Sequence, residues 1–415
     1  MKSVRQRKPA STEPKEGSPS PIPPTEDYDL IQQLVLASIA VIGSIFILGF
    51  LYIELCIPSP IEPEAYTFDP IPQFVGPLEP NNELKTIEKV NPGAYRGPES
   101  LAFYNGKIYT GVGDGRIVEI DIATNELRTI VETLGRPPCG GISNERHCGR
   151  PLGIRVKDGF IYTVDAYLGL FKINISSGEK FNLLKASEPL PDGYPALFLN
   201  DLEVSDDGKI YMTDSSSKYH RENHPYVGFE GSAKGRLIMF DTVTNQTRIL
   251  LRDLYFANGV QFTPDNKSLL ITEMSRCRVI RYYLTGPRAG ETEIFSNNLP
   301  GLPDNIRPSS RGGYWVAFAV TRHPDLWSTW DRTAPYPWVK RIMAKTLHKF
   351  TIASMMPAYG LVLELNGEGQ IINSLHDQNG TTLPLTSEVR EYEGHLYFGS
   401  YFLPFLGKYK LPARS

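Results

Sequence analysis

The sequence has few cysteines, no excess of basic residues and none of the short motifs that mark the commonest hydrolase classes. Its four cysteines among 415 residues are too few for a disulfide-built scaffold, so a hydrophobic core must provide the stability. Lys and Arg total 43 against 46 Asp and Glu, which argues against binding of DNA or RNA. No Gly-x-Ser-x-Gly elbow occurs, and His220 and His224 lack the helical zinc-protease pattern, so both of those chemistries are disfavoured.

The N-terminal part of the chain divides into a polar segment and an apolar one. Residues 1–30 are rich in Pro and Ser without apolar periodicity, which predicts a disordered cytoplasmic tail. Leu34–Ile53 contains 20 residues without a charge, enough for a helix to cross a hydrocarbon core of about 30 Å. We therefore predict a transmembrane signal anchor over residues 31–55. Basic residues precede it and acidic residues follow, which predicts a type II protein of the plasma membrane or endoplasmic reticulum.

The segment after the anchor has the features of an exported chain. Residues 56–82 are rich in proline and predict a tether between the membrane and a folded body. Cys139 and Cys148 lie nine residues apart in a Gly-rich loop, and in an oxidising compartment we expect them to form a disulfide. Four Asn-x-Ser/Thr sequons on the exported side are the expected glycosylation sites: Asn174, Asn245, Asn266 and Asn379.

Short β-rich runs recur along residues 83–415, each flanked by Gly, Asp or Asn. Their alternation and their turn residues predict strands. Successive runs start 45 to 82 residues apart, close to the period of a β-propeller with several strands in each blade. Six recurrences predict an all-β fold, a six-bladed propeller over residues 83–415. The runs begin at Lys107, Phe160, Lys209, Ser268, Gly313 and His395.

The longest interval contains an insertion over residues 323–359 with a helical pattern. Apolar residues from Trp338 to Phe350 are spaced to share one face of a single helix. A basic stripe of Arg341, Lys345 and Lys349 runs beside them. The pattern predicts a helix that forms a lid on the propeller, and the alternative is a helix that rests against anionic lipid.

Polar residues recur just before the inner strand of four predicted blades. The inner strands of a propeller surround its central channel, so such residues converge from distant positions in the sequence. Two carboxylates and two amide carbonyls form an all-oxygen set, which favours calcium over zinc. For any one of them alone, a satisfied turn residue is the alternative. The four residues are Glu99, Asn200, Asn258 and Asp304.

The segments around these four residues resemble the calcium-binding motifs of the paraoxonase, gluconolactonase and strictosidine-synthase superfamily of six-bladed propellers. Longer segments, among them Cys148–Arg155 and Asp304–Val316, are similar to a type II membrane glycoprotein within that superfamily. The resemblance extends from the tether to the C-terminus. It implies calcium binding at the four residues, with Asn305 nearby, and an arylesterase-like activity.

The sequence departs from paraoxonases at the positions of their two histidines. Leu152 stands in place of the first, and the second would fall near Asp165 or Ala166. The candidates for the base that activates water are therefore the carboxylates Asp165, Glu388 and Asp304. Glu388 also matches the position of the Glu that strictosidine synthase uses.

These features predict a calcium-dependent hydrolase of small esters or lactones, similar to an arylesterase and tethered to a membrane. One alternative is a non-catalytic propeller, pinned by calcium, that acts as a membrane-anchored scaffold for a protein partner. A second alternative is a condensing enzyme of the strictosidine-synthase type. The first two differ in whether calcium supports turnover as well as folding.

Overall fold

The computed structural model describes residues 25–412, with side chains from residue 28 onward, and divides the chain into two units at Pro58. The tail expected over residues 1–24 lies outside the described residues. The first unit contains one helix, α1 (Thr25–Cys56), so residues 25–30 are helical rather than part of a disordered tail. Its segment Tyr28–Cys56 is long and apolar enough to cross a membrane, which is compatible with the predicted single-pass anchor.

The second unit, Ser59–Ser415, is a six-bladed β-propeller, which confirms the predicted all-β architecture. Each blade is a four-stranded antiparallel sheet. Blade 1 consists of β2 (Leu101–Tyr104), β3 (Lys107–Gly111), β4 (Ile117–Asp121) and β5 (Leu127–Val131). Blade 2 consists of β6 (Pro151–Lys157), β7 (Phe160–Asp165), β8 (Gly169–Asn174) and β9 (Lys180–Lys185). Blade 3 consists of β10 (Leu199–Val204), β11 (Lys209–Asp214), β12 (Gly235–Asp241) and β13 (Gln246–Leu254).

The remaining three blades complete the ring. Blade 4 consists of β14 (Ala257–Phe262), β15 (Ser268–Glu273), β16 (Arg278–Tyr283) and β17 (Thr292–Ser296). Blade 5 consists of β18 (Gly301–Pro308), β19 (Tyr314–Thr321), β20 (Gly360–Leu365) and β21 (Ile371–Asp377). Blade 6 consists of β22 (Glu388–Tyr392), β23 (His395–Gly399), β24 (Leu406–Lys410) and the N-terminal strand β1 (Glu88–Val90). Because β1 pairs with β24, the two ends of the propeller sequence close the ring in one sheet.

The six recurrent runs of the sequence are the second strands of the six blades: β3, β7, β11, β15, β19 and β23. Their period is set by the packing between neighbouring sheets, which needs the same buried apolar positions in every blade. Between blades 4 and 5, for example, Leu270 and Val279 pack in one cluster with Val316 and Leu363. Such clusters of fully buried aliphatic residues supply most of the folding free energy, as the low cysteine content requires.

The proline-rich segment after the anchor is packed against the propeller and does not form a free tether. Ile61 is completely buried in the same cluster as Leu152 and Phe198. Farther along, the amide of Tyr66 donates to Ala334 O at 3.0 Å, and Ser374 Oγ donates to Pro77 O at 2.6 Å. Residues 59–82 therefore belong to the folded unit, which begins about 25 residues earlier than the sequence predicted.

The insertion in blade 5, between β19 and β20, is helical as predicted but forms three short helices rather than one. They are α4 (Thr329–Thr333), α5 (Pro337–Thr346) and α6 (Lys349–Ser354). The helical pattern breaks because the backbone of Leu347 and His348 is extended. The buried side of α5 carries Lys340 and Ala344, whereas Trp338 is half exposed, so the predicted apolar face does not form as expected.

The other helices lie in the connections between strands. They are α2 (Glu145–Cys148), α3 (His224–Glu230) and the 3-10 turns Gly76–Leu78, Glu83–Thr86, Ile142–Asn144, Arg221–Asn223 and Met274–Arg276. The helices α2 and α3 follow blade 1 and the second strand of blade 3, on chain segments that border the cavity described below.

Acid should loosen the packing of the proline-rich segment through His376. This buried imidazole lies 2.7 Å from Tyr359 Oη and 2.7 Å from Ser374 Oγ, with the Phe74 ring centroid 5.7 Å away. Burial lowers the pKa of His376 from 6.5 to about 4, so the folded state resists a proton that the unfolded state accepts. Stability is thus lost as the pH falls from 6.5 towards 4, by roughly 2 kcal/mol at pH 5.

We therefore expect His376→Gln to reduce the drop in melting temperature between pH 7 and pH 5, measured on the full chain in detergent. His395→Gln, at a half-buried position outside this cluster, should keep the wild-type drop. The same drop in all three proteins would contradict the assignment.

Candidate active site

A cavity of about 1120 Å³ lies where the inner strands of the blades converge. Four of the five predicted metal ligands line it: Glu99, Asn200, Asn258 and Asp304. The fifth, Asn305, lies behind this wall, and its Nδ2 donates to Glu99 Oε1 at 3.2 Å. The structure therefore brings together side chains that are up to 206 residues apart in sequence.

Irregular strand pairing places four of the five predicted ligands inside inner strands rather than before them. In β10, β14 and β18 the register with the second strand shifts between Leu199 and Leu202, between Ala257 and Val260, and between Pro303 and Ile306. Each shift frees two residues from regular pairing, and such bulges redirect side chains. The freed pairs include Asn200, Asn258, Asp304 and Asn305.

The threonines of the recurrent strands support these bulges. Thr213 Oγ1 donates to Asn258 O at 2.5 Å, and Thr272 Oγ1 donates to Asp304 O at 2.6 Å, in each case across to the next blade. Thr163 Oγ1 donates to Gly153 O at 2.8 Å within blade 2. A Thr occurs in four of the six recurrent runs of the sequence, but its position alone does not predict this role.

Four buried oxygens at this site have no hydrogen-bond partner within residues 25–412. They are Glu99 Oε2, Asn200 Oδ1, Asn258 Oδ1 and Asn305 Oδ1. A buried polar atom left unpaired costs about 1–3 kcal/mol, and all four of these atoms are acceptors. Each of these oxygens needs either a hydrogen-bond donor or a cation beside it. A group of carboxylate and amide oxygens is a ligand set that suits Ca²⁺.

The electrostatics of the site also favour a bound cation. Burial, together with Asp201 and Glu388, raises the pKa of Glu99 from 4.5 to about 8. Burial and the nearby Glu99 and Glu388 also raise the pKa of Asp304 well above its ordinary value. No three His, Cys, Asp or Glu side chains within the described part of the chain form a metal-binding group. The candidate set instead combines two carboxylates with amide oxygens.

Glu388 is held beneath the cavity by Arg307 and does not line the wall. The fully buried Arg307 places Nε 2.7 Å from Glu388 Oε1, and its Nη2 donates to Glu388 Oε2 at 2.8 Å. The same guanidinium donates from Nη1 to Asp201 Oδ2 at 2.8 Å. These contacts pair one guanidinium with two buried carboxylates in a network that ties blade 5 to blades 3 and 6. Arg155 Nη1, 3.5 Å from Asp201 Oδ1, adds a second positive charge.

Asp165 is likewise engaged away from the cavity wall. Its Oδ1 accepts from the amides of Tyr167 and Leu168 at 2.9 and 3.0 Å, while burial raises its pKa from 3.8 to about 7. Asp214 and Glu273 end the corresponding strands of blades 3 and 4, and they accept from the amides of Phe198 and Tyr255. Of the three candidate bases, only Asp304 lines the cavity.

The cavity wall contains further polar residues that the sequence analysis did not select. Arg150, Arg221, His224 and Tyr401 all line it. Burial and the neighbouring Asp304 raise the pKa of Tyr401 to about 12, whereas burial and Arg221 lower the pKa of His224 to about 3. Both side chains are therefore neutral at physiological pH. The four residues precede or follow predicted strands without a repeat pattern, so no periodic signal marks them.

A disulfide closes one of the loops around the cavity. Cys139 and Cys148 are bonded, as the sequence predicted, and the loop between them contributes Gly140, Gly141 and Ile142 to the cavity wall. Three of the predicted glycosylation sites, Asn245, Asn266 and Asn379, are exposed, and Asn174, the last residue of β8, is partly buried. Their occupancy stays a prediction.

The chain is similar over most of its length to curated membrane-associated proteins. It is 40% identical over 373 residues to the adipocyte plasma membrane-associated protein of Salmo salar, and the match covers 89% of each chain. The chain belongs to the adipocyte plasma membrane-associated protein family. Family models described as strictosidine synthase and as the N-terminal region of strictosidine synthase-like proteins match residues 200–287 and 76–120. The resemblance noted in the sequence is thereby confirmed.

Solved structures share the fold of this family at much lower identity. A gluconolactonase from Xanthomonas campestris is 13% identical, with a TM-score of 0.53 over 86% of this chain and 99% of its own. A calcium-binding protein, regucalcin, from Agrobacterium tumefaciens is 12% identical, with a TM-score of 0.50 over 83% of this chain and 96% of its own. These likenesses establish a propeller architecture of the gluconolactonase and regucalcin kind.

The inner strands of blades 4 and 5 approach so closely that position 259, next to the candidate ligand Asn258, must be a glycine. A Cβ on Gly259 would lie 2.7 Å from Asn305 Cα and 2.8 Å from Ile306 N, both backbone atoms that cannot move alone. We expect Gly259→Ala to lower the melting temperature of the full chain by at least about 3 °C, because overpacking costs roughly 1–3 kcal/mol.

The matched control is Gly367→Ala, since a Cβ there would meet only Gly312 O at 3.5 Å. If the two variants melted at the same temperature as the wild type, the tight contact between blades 4 and 5 would be refuted.

Proposed function

We propose that the chain is a calcium-dependent hydrolase of esters or lactones, anchored to a membrane by α1. The observation that carries the proposal is the group of four unpaired buried oxygens beside a large cavity. Glu99, Asn200, Asn258 and Asp304 would hold the ion, with Asn305 supporting Glu99 from behind. Two structural neighbours, a gluconolactonase and a calcium-binding protein, support this chemistry.

A bound calcium ion supplies Lewis-acid polarisation of a carbonyl group and stabilises the negative charge that develops on its oxygen. The other requirements fall to the chain itself. Asp304 lies in the cavity wall, and its carboxylate is the candidate that accepts the proton of the attacking water. The apolar side of the cavity, with Phe198, Phe256 and Trp330, holds the organic part of the substrate and excludes water.

Asp165 and Glu388 remain alternative bases within this proposal. The carboxylate of Asp165 accepts hydrogen bonds from backbone amides, and the carboxylate of Glu388 is paired with Arg307. These contacts favour Asp304 as the base. The condensing-enzyme alternative rests on Glu388, and the contacts of that residue give it no support. Orientation in the membrane, with the propeller luminal or extracellular, is part of the proposal and follows from the charges that flank α1.

A second candidate function is a non-catalytic scaffold in which the ion only stabilises the propeller. It is favoured by the distribution of the ligands, which come from blades 1, 3, 4 and 5 and would be clamped together by one ion. Binding at 100 times the dissociation constant would stabilise the fold by about 2.7 kcal/mol in either case. Turnover therefore distinguishes the two functions.

The test measures hydrolysis of phenyl acetate and dihydrocoumarin by the full chain in detergent, with calcium in excess or removed by a chelator. We expect removal of calcium and the Asp304→Asn substitution each to lower the rate by about 100-fold or more, in line with the loss of oxyanion stabilisation. Asp206→Asn, at an exposed turn position, is the matched control and should retain the full rate.

A rate that does not respond to calcium would contradict the hydrolase proposal. If calcium raised the melting temperature but no hydrolysis exceeded that of buffer, the scaffold function would replace it. Asp165→Asn and Glu388→Gln, assayed alongside, test the two alternative bases. Either residue is the base if its variant loses turnover but keeps the calcium-dependent rise in melting temperature, and both variants should keep turnover if Asp304 is the base.

A further inference from the structure

Two buried arginines in the cavity wall have no part in the reaction proposed above. Arg150 and Arg221 are 1% and 6% exposed, and both line the cavity that contains the candidate metal ligands. Guanidinium groups stay protonated even when buried, and they are costly to bury unless an anion accompanies them. Their presence beside an apolar wall therefore needs an explanation.

A single carboxylate serves both guanidinium groups. Arg221 Nη1 lies 2.6 Å from each oxygen of Glu145, whereas Arg150 Nε lies 3.9 Å from Glu145 Oε1. Arg150 otherwise donates from Nη2 to the carbonyls of Gly97 and Tyr401 at 2.9 and 3.3 Å, which satisfies hydrogen bonds without neutralising charge. Burial and Arg221 together lower the pKa of Arg150 to about 10, against the opposite effects of Glu145, Glu99 and Asp165.

Arg221 also has donors to spare. Within residues 25–412 only its Nη1 donates a hydrogen bond, so Nε and Nη2 are left for another acceptor. His224 adjoins it, with Nδ1 3.1 Å from Arg221 O, and its neutral ring adds no competing charge. An arginine with two unused donors in a fork is suited to a carboxylate or a phosphate.

The charge of the whole cavity supports the same conclusion. Four arginines and four carboxylates line it: Arg96, Arg116, Arg150, Arg221, Glu99, Asp114, Glu145 and Asp304. When all eight groups are ionised their charges sum to zero, so a divalent cation held by ionised Glu99 and Asp304 would leave the cavity with two net positive charges. Clefts lined by one sign of charge concentrate ligands of the opposite sign.

The remainder of the wall is apolar and large. Leu152, Phe198, Phe256, Met274, Leu302 and Trp330 face a cavity of about 1120 Å³, at the upper end of the volumes of small-molecule sites. A purely ionic ligand would not use this surface, and an uncharged one would not use the arginines.

We propose that this cavity selects amphipathic anions, which are molecules with an acyl or aryl group and a carboxylate or phosphate. Arg221 binds the acidic group, and Arg150 adds a second positive charge beside it. The inference rests on the proposed function for its site and names the substrate class: esters or lactones that carry an acidic group. Arg221 is the specificity-determining residue, and Glu145 orients its guanidinium.

The test compares binding of hexanoate, hexyl phosphate and uncharged hexanamide to the full chain in zwitterionic lipid nanodiscs with saturating calcium, measured by titration calorimetry. We expect one or both anions to bind at least tenfold more tightly than hexanamide, and the tighter of the two identifies the preferred acidic group. Arg221→Gln should reduce that ratio below threefold, Arg221→Lys should keep part of it, and Arg248→Gln, an exposed arginine outside the cavity, should keep all of it.

Equal affinities of the three ligands for the wild type would overturn the proposal. So would a preference that survives in Arg221→Gln and disappears in Asp304→Asn, because the anion would then bind at the metal site. If Arg221→Gln fails to fold because Glu145 is left unpaired, the wild-type ratio and Arg221→Lys still decide the question. Binding needs no turnover, so an absence of esterase activity would count against the proposed function alone.

Discussion

The structure depends on the crowding of carboxylate and amide oxygens at the axis of the propeller. Glu99, Asp304, Asp201 and Glu388 are almost completely buried in one region. Arg307 compensates the last two through short contacts. Glu99 Oε2 and the amide oxygens of Asn200 and Asn258 have no hydrogen-bond partner within the residues that the structure describes. A fold that concentrates uncompensated acceptors in this way is stabilised by a cation, and the calcium proposal follows from that imbalance.

The scaffold that produces this arrangement is local and repetitive. Bulges in the inner strands turn Asn200, Asn258 and Asp304 toward the axis, and threonines of the adjacent strands bind the carbonyls that the bulges expose. Glycine at position 259 allows the inner strands of blades 4 and 5 to approach closely. The functional geometry is therefore built from the same residues that make each blade.

Much of the fold and part of the site could be predicted from the sequence because both repeat. Every blade needs the same apolar and turn residues, so the second strands stood out, and the ligands shared a position relative to them. The packing of the proline-rich segment was missed, since Ile61 makes its contacts with residues about 90 or more positions away and no local pattern reports them. The break between α5 and α6 was missed because Leu347 and His348 fit a helical spacing while their backbone is extended.

The chemistry around the ligands was harder to predict because it depends on contacts between residues that are far apart in the sequence. Arg307 follows Asp304 by three residues, yet its partners Asp201 and Glu388 lie in other blades. Asp165 ranked as a base by its alignment with a paraoxonase histidine, but its carboxylate accepts from the amides two and three residues farther along the chain. Arg150 and Arg221 are single, non-repeating positions, and only their convergence on one cavity gives them meaning.

The most direct measurement is a crystal structure of the full chain with a lanthanide substituted for calcium, located by anomalous scattering. The account predicts one strong site on the axis, with the oxygens of Glu99, Asn200, Asn258 and Asp304 at about 2.3–2.6 Å from the ion. An axis without anomalous signal, in crystals grown with the ion in excess, would contradict it, as would an ion bound only at the surface while these four side chains find hydrogen-bond donors elsewhere.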